Sequence, residues 1–303
     1  MELIAPGCVQ RHRLYLHKST WTFTLQIEPA TQIKADIEYA EKNPYRSLIT
    51  SSKAASYLDK YNKDCLPQLQ TCYKTDFDAD CYDASVTCGT EIDNQISNDA
   101  DFDVYDLTAP ANDAFPSKQF ISYLQNATIQ QQIGARHNFT ECSEGAYQEI
   151  ISTGDCKCQL SEYNPSVNLP CPTTPGARSF TPTLSTVIQS GVVQAIFWGG
   201  DRGKTMHSHP DARFTFSSTD WICNVLGQER AYSHLQFAES AEFNSQQLKP
   251  YTVNGVQRGL FKTAGKVSYL RVSEAGHEIP AYQPEVALQV FDQTINHEVL
   301  KPT

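Results

Sequence analysis

The chain has 303 residues, 40% hydrophobic and 19% charged, a globular balance that sets aside disorder and fibrous classes and leaves room for one large domain or two small ones. Its formal net charge is -10, from 24 Lys and Arg against 34 Asp and Glu, and its one basic cluster is the short one at Arg11 and Arg13, so the footprint of a DNA or RNA binder is missing. Charges are scattered through Met1 to Leu16 and no apolar run reaches about 18 residues, which speaks against a membrane span and an ordinary signal peptide.

Residues 1–30 show no clean period and stay unassigned. Cys8, His12 and His17 offer three metal ligands, but no fourth accompanies them and the flanking arginines repel a cation. From Thr31 to Leu69 the apolar spacing is helical, with Ile33, Ile37 and Tyr39 before a break at Pro44 and Ala54, Ala55, Tyr57 and Leu58 after it.

Of the 10 cysteines, Cys65, Cys72, Cys81 and Cys88 stand 7, 9 and 7 residues apart. Zinc ligands come in pairs about two to four residues apart, and no such pair occurs in this segment. Four cysteines allow about three connectivities, and the symmetric spacing suits a helical hairpin with an outer Cys65–Cys88 and an inner Cys72–Cys81 bridge. The glycosylation triplets Asn126-Ala-Thr and Asn138-Phe-Thr join that hairpin in favouring an oxidising, extracytoplasmic home.

Acidic, turn-rich sequence runs from Asp93 to Pro110. Pro116 and Ser117 then open a helix whose apolar face is Phe120, Ile121 and Leu124, and a short helix follows from Ala127 to Ile133, ending near Gly134. A helix over Thr181 to Ser190, ended by Gly191, feeds the apolar run Val192 to Trp198, read as a buried strand before Gly199-Gly200-Asp201. This order is an α/β unit. Trp221 to Leu226 and a polar helix lead to a hairpin turn at Asn254-Gly255, and residues 267–272 alternate as the last strand. Pro284 opens a terminal helix through Val286, Leu288, Val290, Phe291 and Ile295.

Two residues stand where chemistry is expected. Asp220 follows the Val192 to Trp198 strand and His277 follows the last one, the acid and base positions of an α/β-hydrolase triad, whose chain order is Ser, acid, His. His277 would take the serine proton through one ring nitrogen, and Asp220 would accept the other N–H and fix the tautomer. Gly276 is expected to allow the tight backbone that lifts the imidazole off the strand end. Plainer readings exist singly, a solvated loop histidine and a helix-capping aspartate. The first triad member is absent: no Gly-x-Ser-x-Gly occurs, so this chain presents no nucleophile elbow and no oxyanion donors that would come with it.

Asp220-Trp-Ile-Cys-Asn-Val-Leu-Gly and Glu274-Ala-Gly-His-Glu-Ile-Pro-Ala-Tyr-Gln-Pro-Glu resemble the acid and histidine motifs of the serine carboxypeptidases. These are acidic-pH exopeptidases of vacuoles, lysosomes and the secretory route. The resemblance extends through Cys65 to Cys88, Val104-Tyr-Asp-Leu-Thr-Ala-Pro, Phe120-Ile-Ser-Tyr-Leu-Gln-Asn-Ala-Thr and Tyr251-Thr-Val-Asn-Gly, most of the chain from about residue 35.

It implies a partial α/β-hydrolase fold lacking the early strands and nucleophile elbow, with a disulfide-bridged helical insertion roofing the site. It implies release of C-terminal amino acids from peptides and proteins through an acyl-enzyme, without a cofactor or metal, nucleic acid or membrane span, and it leaves the oligomeric state open. Asp220 becomes the acid, His277 the base, and Cys223 and Glu278 line the cleft, Cys223 as a thiol. Cys142 loses a partner that relatives carry far upstream. The family's Gly-Glu-Ser-Tyr-Gly-Gly and its upstream Asn-Gly pair and acidic side chains, which bind the substrate carboxylate, do not occur here.

The division expected is an unassigned segment 1–30, a helical cap 31–115 and the C-terminal part of the hydrolase domain 116–303. Two stretches interrupt the resemblance and read as non-native insertions, near 156–179 and 202–219, so Cys156, Cys158, Cys171, His207 and His209 carry no weight as ligands. Two other readings remain, a catalytically dead peptide-binding relative and another hydrolase-fold enzyme such as an acyltransferase.

Overall fold

The computed structural model describes residues 19–23, 27–43, 45–111, 118–136, 138–140, 177–190, 193–198 and 219–303. Cys8, His12, His17, Pro116, Ser117, Cys142, Gly199 to Asp201 and most of both interrupting stretches, with their cysteines and histidines, lie outside the described residues.

The first described element is a strand where the sequence reading had none. β1 (Ser19–Phe23) pairs in parallel with β2 (Val193–Trp198). Helix α1 (Pro29–Glu41) begins at a proline, which has no N–H for the first turn to leave unsatisfied. α2 (Ser51–Lys60) starts where the Thr50 side chain accepts a hydrogen bond from the Lys53 N–H. A π-turn over Tyr61–Cys65 joins it to α3 (Leu66–Thr75), and a second over Gly89–Asp93 joins α4 (Asp78–Cys88) to α5 (Asn94–Asp99).

The start of the expected turn-rich segment is therefore helical. Ile92 and Ile96 explain it: four residues apart, both fully buried, they carry the apolar face of α4 one turn further. Disulfides join Cys65 to Cys88 and Cys72 to Cys81 across the α3–α4 hairpin. All four cysteines sit in one core with Ile37, Leu69, Ile92 and Leu107, a core that also takes in Trp221 and Val225 from the far end of the chain.

α6 (Gln119–Leu124) and α7 (Ala127–Ile133) bury no residue. Ile121 and Leu124 are half-covered and Phe120 is exposed, its ring 6.0 Å from that of Phe139. The apolar face expected here thus packs on no core among the described residues. α7 is capped by Asn126, whose side chain accepts from the Thr128 and Ile129 N–H groups, and ends at Gly134 with φ 70°.

α8 (Thr181–Gln189) precedes β2, and α9 (Val225–Ser233) and α10 (Ser240–Ser245) follow it. β3 (Lys249–Val253) and β4 (Val256–Ala264) form a hairpin whose turn residues Asn254 and Gly255 have φ 51° and 77°, the paired positive φ of a tight hairpin turn. β5 (Val267–Val272) is followed by α11 (Ile279–Tyr282) and α12 (Pro284–Ile295).

The sheet order is β1-β2-β5-β4-β3, parallel from β1 to β5 and antiparallel from β5 to β3. β5 was expected to alternate between core and solvent, yet all six of its residues are buried. Val267 and Tyr269 pack with Leu184, Tyr232 and Phe243 on one side, and Leu270 and Val272 with Val286 and Val290 on the other. A central strand covered on both faces has no solvent side. Its buried serine is paired instead: the Leu300 N–H donates to Ser268 Oγ at 3.1 Å, and Ser268 Oγ lies 3.0 Å from Thr263 Oγ1.

The ends of both interrupting stretches are built into this fold. Arg178 Nε donates to Asp76 Oδ1 at 2.8 Å and Ser179 Oγ to Glu28 Oε2 at 2.5 Å. Thr219 is fully buried; its carbonyl accepts from the Leu107 N–H at 2.6 Å and its hydroxyl donates to the Ala275 carbonyl at 3.1 Å.

Candidate active site

Asp220 and His277 lie on separate loops, one before α9 and one after β5, and the fold brings them into contact. Asp220 is fully buried. Its Oδ1 accepts the Cys223 N–H at 3.0 Å, the local turn expected of an aspartate ahead of a helix. Its Oδ2 lies 3.1 Å from His277 Nδ1. The helix-capping reading of Asp220 is not what the structure shows, since Asn224 is the cap of α9; one Asp220 oxygen closes the turn before the helix and the other meets His277.

Burial opposes a charge on His277, but the hydrogen bond and the charge of Asp220, then Glu278 and Asp103, outweigh it and raise the imidazole pKa above its ordinary value. The pair therefore stabilises the fold at acid pH, and that contribution is lost as pH rises through the raised value. The neutral ring, the form able to accept a proton, is correspondingly reached only at higher pH.

A third segment holds the two loops together. The carbonyl of Val104 accepts from both the Trp221 and Ile222 N–H groups at 3.1 Å, and the next carbonyl, that of Tyr105, accepts from the His277 N–H at 3.0 Å. The Tyr105 ring lies 5.0 Å from the imidazole. Gly276 works differently from the expectation. Positive φ falls on Glu274, at 55°, whereas Gly276 is needed for closeness: a Cβ there would lie 2.7 Å from the Tyr105 carbonyl oxygen and 2.9 Å from the Tyr282 ring.

Behind Asp220 the loop is fixed by Asn224. Its Oδ1 caps α9 by accepting the Gly227 N–H at 2.9 Å, and its Nδ2 donates to Asp36 Oδ1 at 2.5 Å and to the Trp221 carbonyl at 3.2 Å. Trp221 Nε1 donates to the Asp36 carbonyl at 3.2 Å. α1 packs here, with the Ala35 Cβ 3.3 Å from the point where a Gly227 Cβ would stand.

Cys223 takes part in no disulfide, and its sulfur, an Asp220 oxygen and a His277 nitrogen lie within 4.8 Å of one another. A soft cation would find three donors here, but both Asp220 oxygens already serve Cys223 N–H and His277 Nδ1. Glu278 sits next to His277 and adds to its charge environment. Asn126 and Asn138, on and after α7, are exposed and lie in a different part of the chain.

The serine carboxypeptidase family profile matches residues 214–297, the span that holds both loops. Carboxypeptidase S1 of Penicillium janthinellum is 40% identical over 277 residues, 91% of this chain and 56% of that protein. The chain belongs to the serine carboxypeptidase family. Carboxypeptidase Y of Schizosaccharomyces pombe is 23% identical over 89% of this chain and 24% of its own length. The vacuolar serine-type carboxypeptidase ATG42 of Saccharomyces cerevisiae is 20% identical over 82% and 43%. This serine carboxypeptidase chain thus spans about half the length of the first of these relatives, 56%, and less of the others. Among solved structures, KEX1(delta)P, a prohormone-processing carboxypeptidase from Saccharomyces cerevisiae, shares the fold with a TM-score of 0.60 and 14% identity, covering 92% of this chain and 54% of that one.

Sequence reasoning missed Asp36, Asn224 and the Val104–Tyr105 strap. Asn224 carried a signal, since an asparagine three residues ahead of a glycine at a helix start is a capping pattern. The strap stood out only as a stretch of the resemblance, and its role was not legible because it acts through backbone carbonyls.

Proposed function

We propose that this chain carries the acid and general base of a serine carboxypeptidase, Asp220 and His277, for releasing amino acids from peptide and protein C-termini. The observation that carries the reading is the 3.1 Å contact from Asp220 Oδ2 to His277 Nδ1, made by a fully buried carboxylate. With Nδ1 engaged, Nε2 is left to take the proton of a serine hydroxyl as the oxygen attacks the C-terminal peptide carbonyl. The same proton passes to the departing amine, leaving an acyl-enzyme, and water repeats the sequence to release the shortened peptide. Cys223 and Glu278 line the cleft beside the pair.

No Gly-x-Ser-x-Gly occurs in the 303 residues, so the polypeptide as written is expected to have no turnover. A phosphonate probe and a blocked dipeptide, tested between about pH 4.5 and about pH 7, should give neither label nor release. Stoichiometric labelling that disappears in His277→Ala would reveal a nucleophile among these residues and overturn the inactivity. Joined to a segment bearing the family's Gly-Glu-Ser-Tyr-Gly-Gly, the chain should release C-terminal residues, and His277→Ala should lower kcat by about 10⁴-fold or more. Undiminished release in that variant would sink the assignment of the base. Labelling of the serine without release would favour an acyltransferase, and binding of peptide without labelling the non-catalytic relative.

The same reading places the protein in the secretory pathway, secreted or vacuolar. Two disulfides within one hairpin support an oxidising compartment.

A further inference from the structure

We propose that Asp36 is a positioning residue: through Asn224 it holds the loop that presents Asp220 to His277, and it does so within a buried acidic cluster that makes the fold more stable at acid pH. The inference rests on the acid and base roles proposed above, but its physical content can be tested without catalysis.

The geometry is a clamp across long sequence distance. Asp36 lies in the middle of α1, and both its side chain and its backbone face the acid loop: Asn224 Nδ2 donates to Oδ1 at 2.5 Å, and Trp221 Nε1 to the carbonyl at 3.2 Å. The same Nδ2 reaches the Trp221 carbonyl at 3.2 Å. One amide thus ties the residue next to Asp220 to α1, while its Oδ1 starts α9. Asp36 and Asn224 are both buried, so breaking the clamp leaves poorly solvated polar groups.

The charges around Asp36 are all of one sign. Among the described residues these are Asp93, on the π-turn Gly89–Asp93, and Asp220, on the acid loop. Asp93 Oδ1 is buried with no hydrogen-bond partner. Asp36 and Asp93, two like charges in one desolvated region, do not ionise together. Burial first, then the charge of Asp93, push the Asp36 carboxyl well above the usual carboxylate range despite the Asn224 hydrogen bond, and burial pushes Asp93 up to about 7. Ionising Asp36 strengthens its single bond to Asn224, but desolvation and two like charges dominate.

The sign of the pH effect follows. Both carboxyls ionise more easily in the unfolded chain, so the native state holds extra protons between the ordinary carboxylate range and about 7, and stability falls as pH rises through that window. The fold around the clamp is most stable at the acid end. His277 contributes in the same direction, so the wild-type slope alone does not isolate Asp36.

The test compares melting of the wild-type chain, Asp36→Asn and Asp93→Asn between about pH 4.5 and about pH 7.5, where the wild-type Tm should fall by about 5–10 °C. Asparagine keeps an acceptor for Asn224 and cannot ionise, so either variant should lose at least half of that fall. Equal slopes in wild type and both variants overturn the proposal. The second readout is the His277 Nδ1–H resonance at acid pH. It should persist in Asp36→Asn and be lost or broadened in Asp36→Leu, which removes the acceptor; an unchanged resonance in a folded Asp36→Leu protein overturns the positioning role. If variants fail to fold, carboxyl carbon titration of the wild type decides: Asp36 should titrate well above the usual carboxylate range and Asp93 at about 7, and midpoints in the usual carboxylate range for both refute it. Failure of the clamp leaves the Asp220–His277 assignment standing, whereas loss of the His277 resonance in wild type strikes that assignment itself.

Discussion

At the scale of single residues, Gly276 shows how a small side chain sets the geometry of a larger one. The Tyr105 carbonyl must reach the His277 N–H at 3.0 Å, and a methyl on Gly276 would stand 2.7 Å from that same oxygen. Gly276→Ala should therefore displace the strap or the histidine loop, at a cost of about 1–3 kcal/mol. A stability change alone would not separate this from an ordinary core clash, so the imidazole titration is the better readout. His277 moved off Asp220 loses the interactions that raise its pKa, and the measured value should fall toward that of an exposed histidine. A Gly276→Ala protein with the wild-type imidazole titration would show that the close approach is not needed.

Elements differ in how plainly their sequence announces them. The Asn254-Gly255 hairpin, the proline-started helix Pro284–Ile295 and Thr181–Gln189 lie where turn chemistry and apolar spacing put them, because local preference and burial agree. β1 was not legible. Its five residues, Ser19–Phe23, gain their conformation from pairing with β2, a partner more than 170 positions away, and so short a run has no turn signals of its own. The pair Asp220 and His277 was legible from chain order and motif, whereas Asp36 looked like one more polar position on a helix.

In the α3–α4 hairpin the two bridges close loops of different size, with sequence separations of 23 and 9. Loop-closure entropy gives roughly 3.5 kcal/mol for the outer and roughly 2.7 kcal/mol for the inner bridge taken singly. Replacing Cys65 and Cys88 together by alanine should thus lower Tm more than replacing Cys72 and Cys81. The reverse order in paired melting curves would mean that packing around Cys72, not chain restraint, governs the hairpin.

For the molecule as a whole, the surface of the α6–α7 region is where processing would be visible. Asn126 caps α7 with Oδ1, and a glycan attaches through the side-chain nitrogen, so the cap and a sugar are compatible. Material secreted from a eukaryotic host should carry two N-linked glycans, seen as two mobility steps on endoglycosidase treatment. Asn126→Gln and Asn138→Gln should each remove one, the former also costing about 1 kcal/mol of capping. A single unglycosylated species from secreted material would count against the secretory reading.

The strap at Val104 and Tyr105 gives the molecule a form of mechanical common-mode rejection. Its two adjacent carbonyls grip the loop of Asp220 and the loop of His277 through successive peptide units, and Thr219 joins the same loops directly through the Ala275 carbonyl. A small rigid displacement of the strap would carry Asp220 and His277 in the same direction. Their separation changes only by the difference between two nearly equal movements, so vibration that blurs the position of the pair in space leaves its hydrogen bond almost undisturbed.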